Sequence, residues 1–92
     1  MAQVHGNPKD MLRFAVQLKQ FTNDLQVATQ RINSASHTVS SSWNDNEYRK
    51  FMQDWEKTLT ELRRFISDAP RYEQHVRAKA QALEAYLNQN RL

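Results

Sequence analysis

The groups in this chain that could do chemistry are three histidines, ten acidic residues and a short run of serines. His5, His37 and His75 fall on separate segments with no carboxylate at metal-ligand spacing, so they read as solvated side chains, and no metal is expected. Asp10, Asp24, Asp54, Glu56, Glu61 and Glu84 fall mostly on outward positions of a helical pattern, where pairs such as Glu61 with Lys57 or Arg64 would support a helix. Ser40, Ser41 and Ser42 have no base near them in sequence and no glycine-rich nucleophile turn, which leaves hydrolase chemistry without support. The chain has no cysteine, so it holds neither a disulfide framework nor a thiolate metal site. Arg63, Arg64, Arg71, Arg77 and Lys79 form the densest basic stretch, with Phe65 and Tyr72 interleaved. Contact with acidic lipid or nucleic acid is one reading of it, and the solvated side of a helix is the better one. The expectation is a non-enzyme without cofactor or small-molecule ligand, for which nucleic acid and membrane are poor partners.

What remains is recognition, and its most specific element is the segment Ser40-Ser41-Ser42-Trp43-Asn44-Asp45-Asn46-Glu47-Tyr48 at mid-chain. Asn44 is a good N-cap, and Glu47 three residues later could reach back to it, which makes a capping box and starts a helix near residue 45. That box places Trp43 just before the cap and Tyr48 at the fourth helical position, the pair that forms a hydrophobic staple. Asp45 and Glu47 in the first turn complement the helix dipole by about 0.3–1 kcal/mol each. Ser34, Ser36 and Ser40 to Ser42 compete for backbone hydrogen bonds, so the preceding helix is expected to fray there.

Two long helices must position this turn. One glycine and two prolines in 92 residues leave little to interrupt helix. From Pro8 the apolar positions run Met11, Phe14, Leu18, Phe21, Leu25, Ala28, Ile32, Ala35 and Val39, an unbroken heptad seam. After the turn they run Tyr48, Met52, Trp55, Leu59, Leu62, Ile66, Ala69, Val76, Ala80, Leu83 and Leu87, with Glu73 the one misfit. The expected fold is all-α: an antiparallel helical hairpin with helices over about 8–40 and 45–90 joined by a turn over 41–45. Pro70 should kink or break the second helix, and continued heptad phase across it favours one bent helix over two. Glu73 needs a Lys or Arg from a neighbour if the seam is buried there.

Beside the second seam lies a column spaced by seven, Phe51, Thr58, Phe65, Tyr72, Lys79 and Tyr86. It is surplus to a hairpin, because a four-helix bundle needs a wider apolar face than a two-helix pair. The expected dimer or core interface therefore combines Phe14, Leu18, Phe21, Leu25 and Ile32 with Phe51, Trp55, Leu59, Leu62, Phe65, Ile66 and Tyr72. A chain this short buries a limited core alone, which also points to association. A net charge of +3 falls short of the clustered field of a nucleic-acid binder. The first ten residues lack the basic start and apolar run of a signal peptide, and no apolar run is long enough to span a membrane.

On these residues the chain resembles the Trp-X-Gly (WXG) proteins, the superfamily of the early secreted antigen of mycobacteria. The likeness covers most of the chain: its length, its two heptad-patterned helices, and the central Ser42-Trp43-Asn44-Asp45 followed by a helix that opens with Tyr48 and Phe51. Asp45 stands where the family has glycine, which makes this a Trp-X-Asp variant. The resemblance implies a hairpin that dimerises into a four-helix bundle, with itself or with a paralogous partner. It also implies export without a signal peptide through a type VII (ESX-like) secretion system, as effector or adaptor meeting a secretion ATPase or a toxin partner, and no enzyme activity. The family's export signal, Tyr-x-x-x-Asp/Glu, has no full match here. Tyr48 is followed at the fourth place by Met52 and Tyr72 by Val76, while Tyr86 with Asn90 comes closest, isosteric but uncharged. Three readings differ from secretion by that route: a cytoplasmic protein, a needle-like structural hairpin subunit of another secretion apparatus, and a basic coiled-coil dimer that binds nucleic acid.

Overall fold

The computed structural model describes residues 6–89. They form α1 (Pro8–Thr38), a single 3-10 turn (Val39–Ser41) and α2 (Asn46–Gln89), paired as an all-α hairpin with no strand among the described residues. Asn7 caps α1, its Oδ1 accepting the N–H groups of Lys9 at 2.9 Å and Asp10 at 3.4 Å. Pro8 is thus the first helical residue, where its missing N–H leaves nothing unsatisfied.

At the other end of α1 the expected fraying is not found. Hydroxyls bond back one turn: Ser36 to the Asn33 carbonyl at 2.7 Å, Thr38 to Ser34 at 3.0 Å, Ser40 to His37 at 2.6 Å and Ser41 to Thr38 at 3.0 Å. The same side chains that compete with helix in isolation here occupy carbonyl oxygens, two of them at the helix end that would otherwise lack donors. The chain tightens into the 3-10 turn, where Ser42 N–H and Trp43 N–H both donate to the Val39 carbonyl.

The cap of α2 is Asp45 rather than Asn44. Tyr48 N–H donates to Asp45 Oδ1 at 3.0 Å and Arg49 N–H to the Asp45 carbonyl at 3.1 Å, which sets Asn46 as the first helical residue. The expected capping box between Asn44 and Glu47 is accordingly absent, and Glu47 instead lies 3.8 Å from Lys50. An ionised Asp accepts at the cap as well as Asn does and adds charge favourable to the helix dipole. α2 then runs without a break through Pro70. Of the two outcomes weighed for that proline, continuous helix is the one observed.

The hairpin divides into two compact units, one made of the chain up to Phe21 and from Ala69 onward, the other of Thr22–Asp68. In the Thr22–Asp68 unit, buried Tyr48 donates its hydroxyl to the Ser36 carbonyl at 3.1 Å, and Trp55 Nε1–H donates to Asn33 Oδ1 at 2.9 Å. Later residues of α2 therefore meet earlier residues of α1, the antiparallel arrangement. Leu59 is the innermost side chain of this unit, with Thr29 and Ser36 buried opposite it on α1. In the other unit Ala15, Ala69, Ala80 and Leu83 are buried. Gly6 lies against it at φ +147°, a backbone conformation that favours glycine, and a Cβ there would lie 3.1 Å from Leu83 Cδ2 and press on that side chain.

The seam of α1 differs from the expected one. Positions facing α2 are Ala15, Thr22, Thr29 and Ser36, with Met11, Leu18, Leu25 and Asn33 half-buried, whereas Phe14, Phe21, Ala28, Ile32, Ala35 and Val39 are exposed. The chain spends its small and hydroxylated residues on the intramolecular contact, where they permit close approach of the helices, and leaves its larger apolar residues outside.

Candidate interaction surface

Five outward apolar residues of α1 stand one place before an inward one, Phe14 before Ala15, Phe21 before Thr22, Ala28 before Thr29, Ile32 before Asn33 and Ala35 before Ser36, while exposed Val16 and Val27 lie off this column. The column on α2 has the same offset, Phe51 before Met52, Thr58 before Leu59, Phe65 before Ile66, Tyr72 before Glu73 and Lys79 before Ala80. One residue is about 100° of helical rotation. In two antiparallel helices, equal rotations of the same sense away from the shared contact bring both columns to the same side of the pair. In parallel helices they would fall on opposite sides.

Each unit therefore presents an apolar face on one side. In the Thr22–Asp68 unit it consists of Ile32 on α1, Val39 in the 3-10 turn, Trp43 just after it, and Phe51 and half-buried Phe65 on α2, with Phe51 43% exposed. In the other unit Phe14 and Phe21 are 53% and 55% exposed, and Tyr72 and Tyr86 nearly as much. In the Thr22–Asp68 unit, residues that follow the core by one place, such as Gln26, Gln30, Arg63 and Ser67, are polar and make the opposite side.

The turn fixes one end of this face. Trp43 meets Tyr48 edge-on, ring centroids 5.3 Å apart with planes at 69°, and lies 6.1 Å from Phe51 in a tilted pair. The edge-to-face geometry sets the positive ring edge of one partner against the negative face of the other. Tyr48 is anchored twice, by its backbone N–H at the Asp45 cap and by its hydroxyl on α1. Trp43 rests on that anchor yet stays 36% exposed. The staple contact between Trp43 and Tyr48 thus exists, although the cap at Asp45 places Tyr48 at the third helical position. No described residue other than Gly6 has a positive φ. Asp45 carries no positive φ and works as a cap.

The expected interface residues divide in two. Leu59 is buried within the hairpin; Leu18, Leu25, Trp55, Leu62, Phe65 and Ile66 are half-buried; Phe14, Phe21, Ile32, Phe51 and Tyr72 are exposed. Tyr86 is exposed, and Asn90, its partner in the near-match to an export signal, lies outside the described residues. The expected pairing of Glu61 with Lys57 or Arg64 is not formed among the described residues; Arg13 pairs with Asp10 at 3.5 Å and Lys50 with Glu47 at 3.8 Å, both largely in solvent. Glu73 is half-buried and makes no ion pair among the described residues. Arg63, Arg64, Arg71 and Lys79 are exposed and Arg77 is half-buried. Among the described residues no three His, Asp or Glu side chains gather as metal ligands, and no helix is long and apolar enough to cross a membrane.

Sequence reasoning missed Asn33, Thr29 and Ser36. They are polar, and polarity at mid-helix signals solvent. The available signal was their spacing with Ala15 and Thr22, a second heptad series one place after the apolar one. No protein-family model matches this chain, and no curated protein and no solved structure matches it.

Proposed function

We propose that this protein is a non-enzymatic helical-hairpin adaptor or effector that acts through protein contacts and pairs through its apolar side into a four-helix bundle. The observation that supports this reading is that, within each unit, α1 and α2 both leave apolar side chains exposed on the same side of the pair, outside the intramolecular contact. An aromatic side chain offers about 150–250 Å² when fully covered. Half-exposed Phe14, Phe21, Tyr72 and Tyr86 in one unit, and Ile32, Val39, Trp43 and Phe51 in the other, therefore hold on the order of 350 Å² per unit. A standard interface takes roughly 800 Å² from each partner. A second copy of the chain is the simplest occupant, since identical apolar faces satisfy one another under two-fold symmetry; a paralogous hairpin is the alternative.

The resemblance to Trp-X-Gly proteins extends the proposal to export without a signal peptide through a type VII (ESX-like) system, with a secretion ATPase or a toxin as the further partner. The exposed Trp43 beside Phe51 is the surface this reading assigns to that recognition.

Sedimentation of the purified chain at micromolar concentration tests the pairing. A dimer is expected, converted to monomer by Phe21→Glu or Phe51→Glu with the helical circular dichroism retained at low temperature. A monodisperse monomer of the unaltered chain overturns it. The export proposal is tested separately in the source organism: extracellular protein should disappear when the ESX-type ATPase is deleted, and unchanged export rejects that route.

A further inference from the structure

The polar side of the Thr22–Asp68 unit, turned away from the apolar face, contains a cleft of about 220 Å³ between α1 and α2. Leu59 and Ile66 form its apolar part, and Gln26, Gln30, Arg63 and Ser67 its polar wall, with Thr29 and Asn33 at its inner edge. We propose that this cleft binds a carboxylate, held by Arg63 and by the hydroxyl and amide donors around it.

Donor accounting carries the assignment. Asn33 Oδ1 already accepts the Trp55 indole N–H at 2.9 Å, so what the Asn33 amide has left to offer is chiefly its NH2 group. Thr29 is 6% exposed, and its Oγ1 is sealed from solvent with no hydrogen-bond partner among the described residues. A buried hydroxyl without a partner is uncommon in a folded protein and asks for one. Arg63 makes no ion pair among the described residues, and no acidic side chain lines the cleft. The wall thus combines one cation, two hydroxyls and three amides with no fixed negative charge.

The geometry favours carboxylate over phosphate. The cleft lies at the middle of both helices, where backbone N–H groups are consumed by intrahelical bonds, so the amide cradle that usually receives phosphate is missing. One guanidinium balances the single charge of a carboxylate, which it takes in two parallel hydrogen bonds, and leaves the second charge of a phosphate dianion unanswered. Leu59 and Ile66 cover the methylene carbons of a short acid. Such a carboxylate arrives either as a free small acid or as the Asp or Glu side chain of a bound protein segment, and both present the same group.

The test is a nitrogen-15 amide titration of the full chain with succinate, with a capped Ala-Glu-Ala peptide, and with inorganic phosphate. The expected result is saturable shifts centred on Gln26, Thr29, Gln30, Asn33, Arg63 and Ser67, with half-saturation at about 1 mM. Phosphate should bind at least about tenfold more weakly. Stronger response to succinate assigns a free acid; stronger response to the peptide assigns a protein side chain. Arg63→Gln should weaken binding about tenfold while Arg64→Gln, one place further and outside the cleft wall, leaves it unchanged. Thr29→Val, which keeps the shape and removes the unpartnered hydroxyl, should weaken binding while raising the thermal midpoint of the free protein. Absence of saturable shifts up to about 20 mM, equal loss in both arginine variants, or equal binding of phosphate overturns the assignment. Because the cleft and the apolar face are on opposite sides, Phe51→Glu should not alter the titration, and failure here leaves the pairing proposal to its own test.

Discussion

Asp45, Tyr48 and Trp43 form a short chain of dependence. Asp45 ends the turn by accepting the Tyr48 N–H, Tyr48 reaches across to the Ser36 carbonyl, and Trp43 packs on the ring so placed. Asp45→Ala should lower unfolding stability by about 1 kcal/mol in urea titration, the usual effect of losing a cap, whereas Asn44→Ala should change it by only a few tenths. Equal effects would return the cap to Asn44. Tyr48→Phe should lower stability by about 1 kcal/mol, since it deletes a buried hydrogen bond and strands the Ser36 carbonyl. Trp43→Ala is expected to remove about 1–2 kcal/mol, less than the 3–5 typical of a buried ring, because a third of the side chain is already in solvent. A loss in the larger range in the monomeric Phe21→Glu background would show the indole buried within the hairpin.

At the scale of the element, the two helices obey different rules. α2 carries its large residues inward at Tyr48, Trp55, Leu59 and Leu83 and keeps a second column outward. α1 turns small or hydroxylated residues inward at Ala15, Thr22, Thr29 and Ser36. Packing of large against small lets the helices approach closely, and it frees the apolar stripe of α1 for another surface. Within α2, Pro70 has no N–H for the Ile66 carbonyl, and its ring crowds that turn. Pro70→Ala should therefore raise the thermal midpoint, by the equivalent of about 1–3 kcal/mol. A neutral or destabilising outcome would mean that packing around this turn offsets the lost hydrogen bond.

At the scale of the whole molecule, the innermost side chains among the described residues are few and several are alanine, and six aromatic residues are exposed. Stability is then expected to depend on association. The thermal midpoint should rise with protein concentration, by the equivalent of about 1.4 kcal/mol of dimer for each tenfold increase. A midpoint independent of concentration, read by differential scanning calorimetry, would place all the stability within one chain. Added salt should leave the pairing unchanged, because the face is apolar, whereas nucleic-acid binding would weaken steeply.

Periodicity and punctuation alone determined the helices, the turn between them and the Trp43–Tyr48 contact, since these rest on interactions within a few residues of one another. Tertiary structure decided which face of α1 meets α2. Two heptad series lie side by side on that helix, one apolar and one small and polar, and a single chain carries no local signal for which is spent inside. The choice depends on the shape of α2: the indole of Trp55 and the phenol of Tyr48 bring polar atoms to the contact, and Asn33 and the Ser36 carbonyl satisfy them. The partly buried indole N–H requires a partner, which Asn33 supplies, and the bulky side chains of α2 require room, which Ala15, Thr22, Thr29 and Ser36 leave, so this series of α1 went inward and the larger apolar series was left exposed.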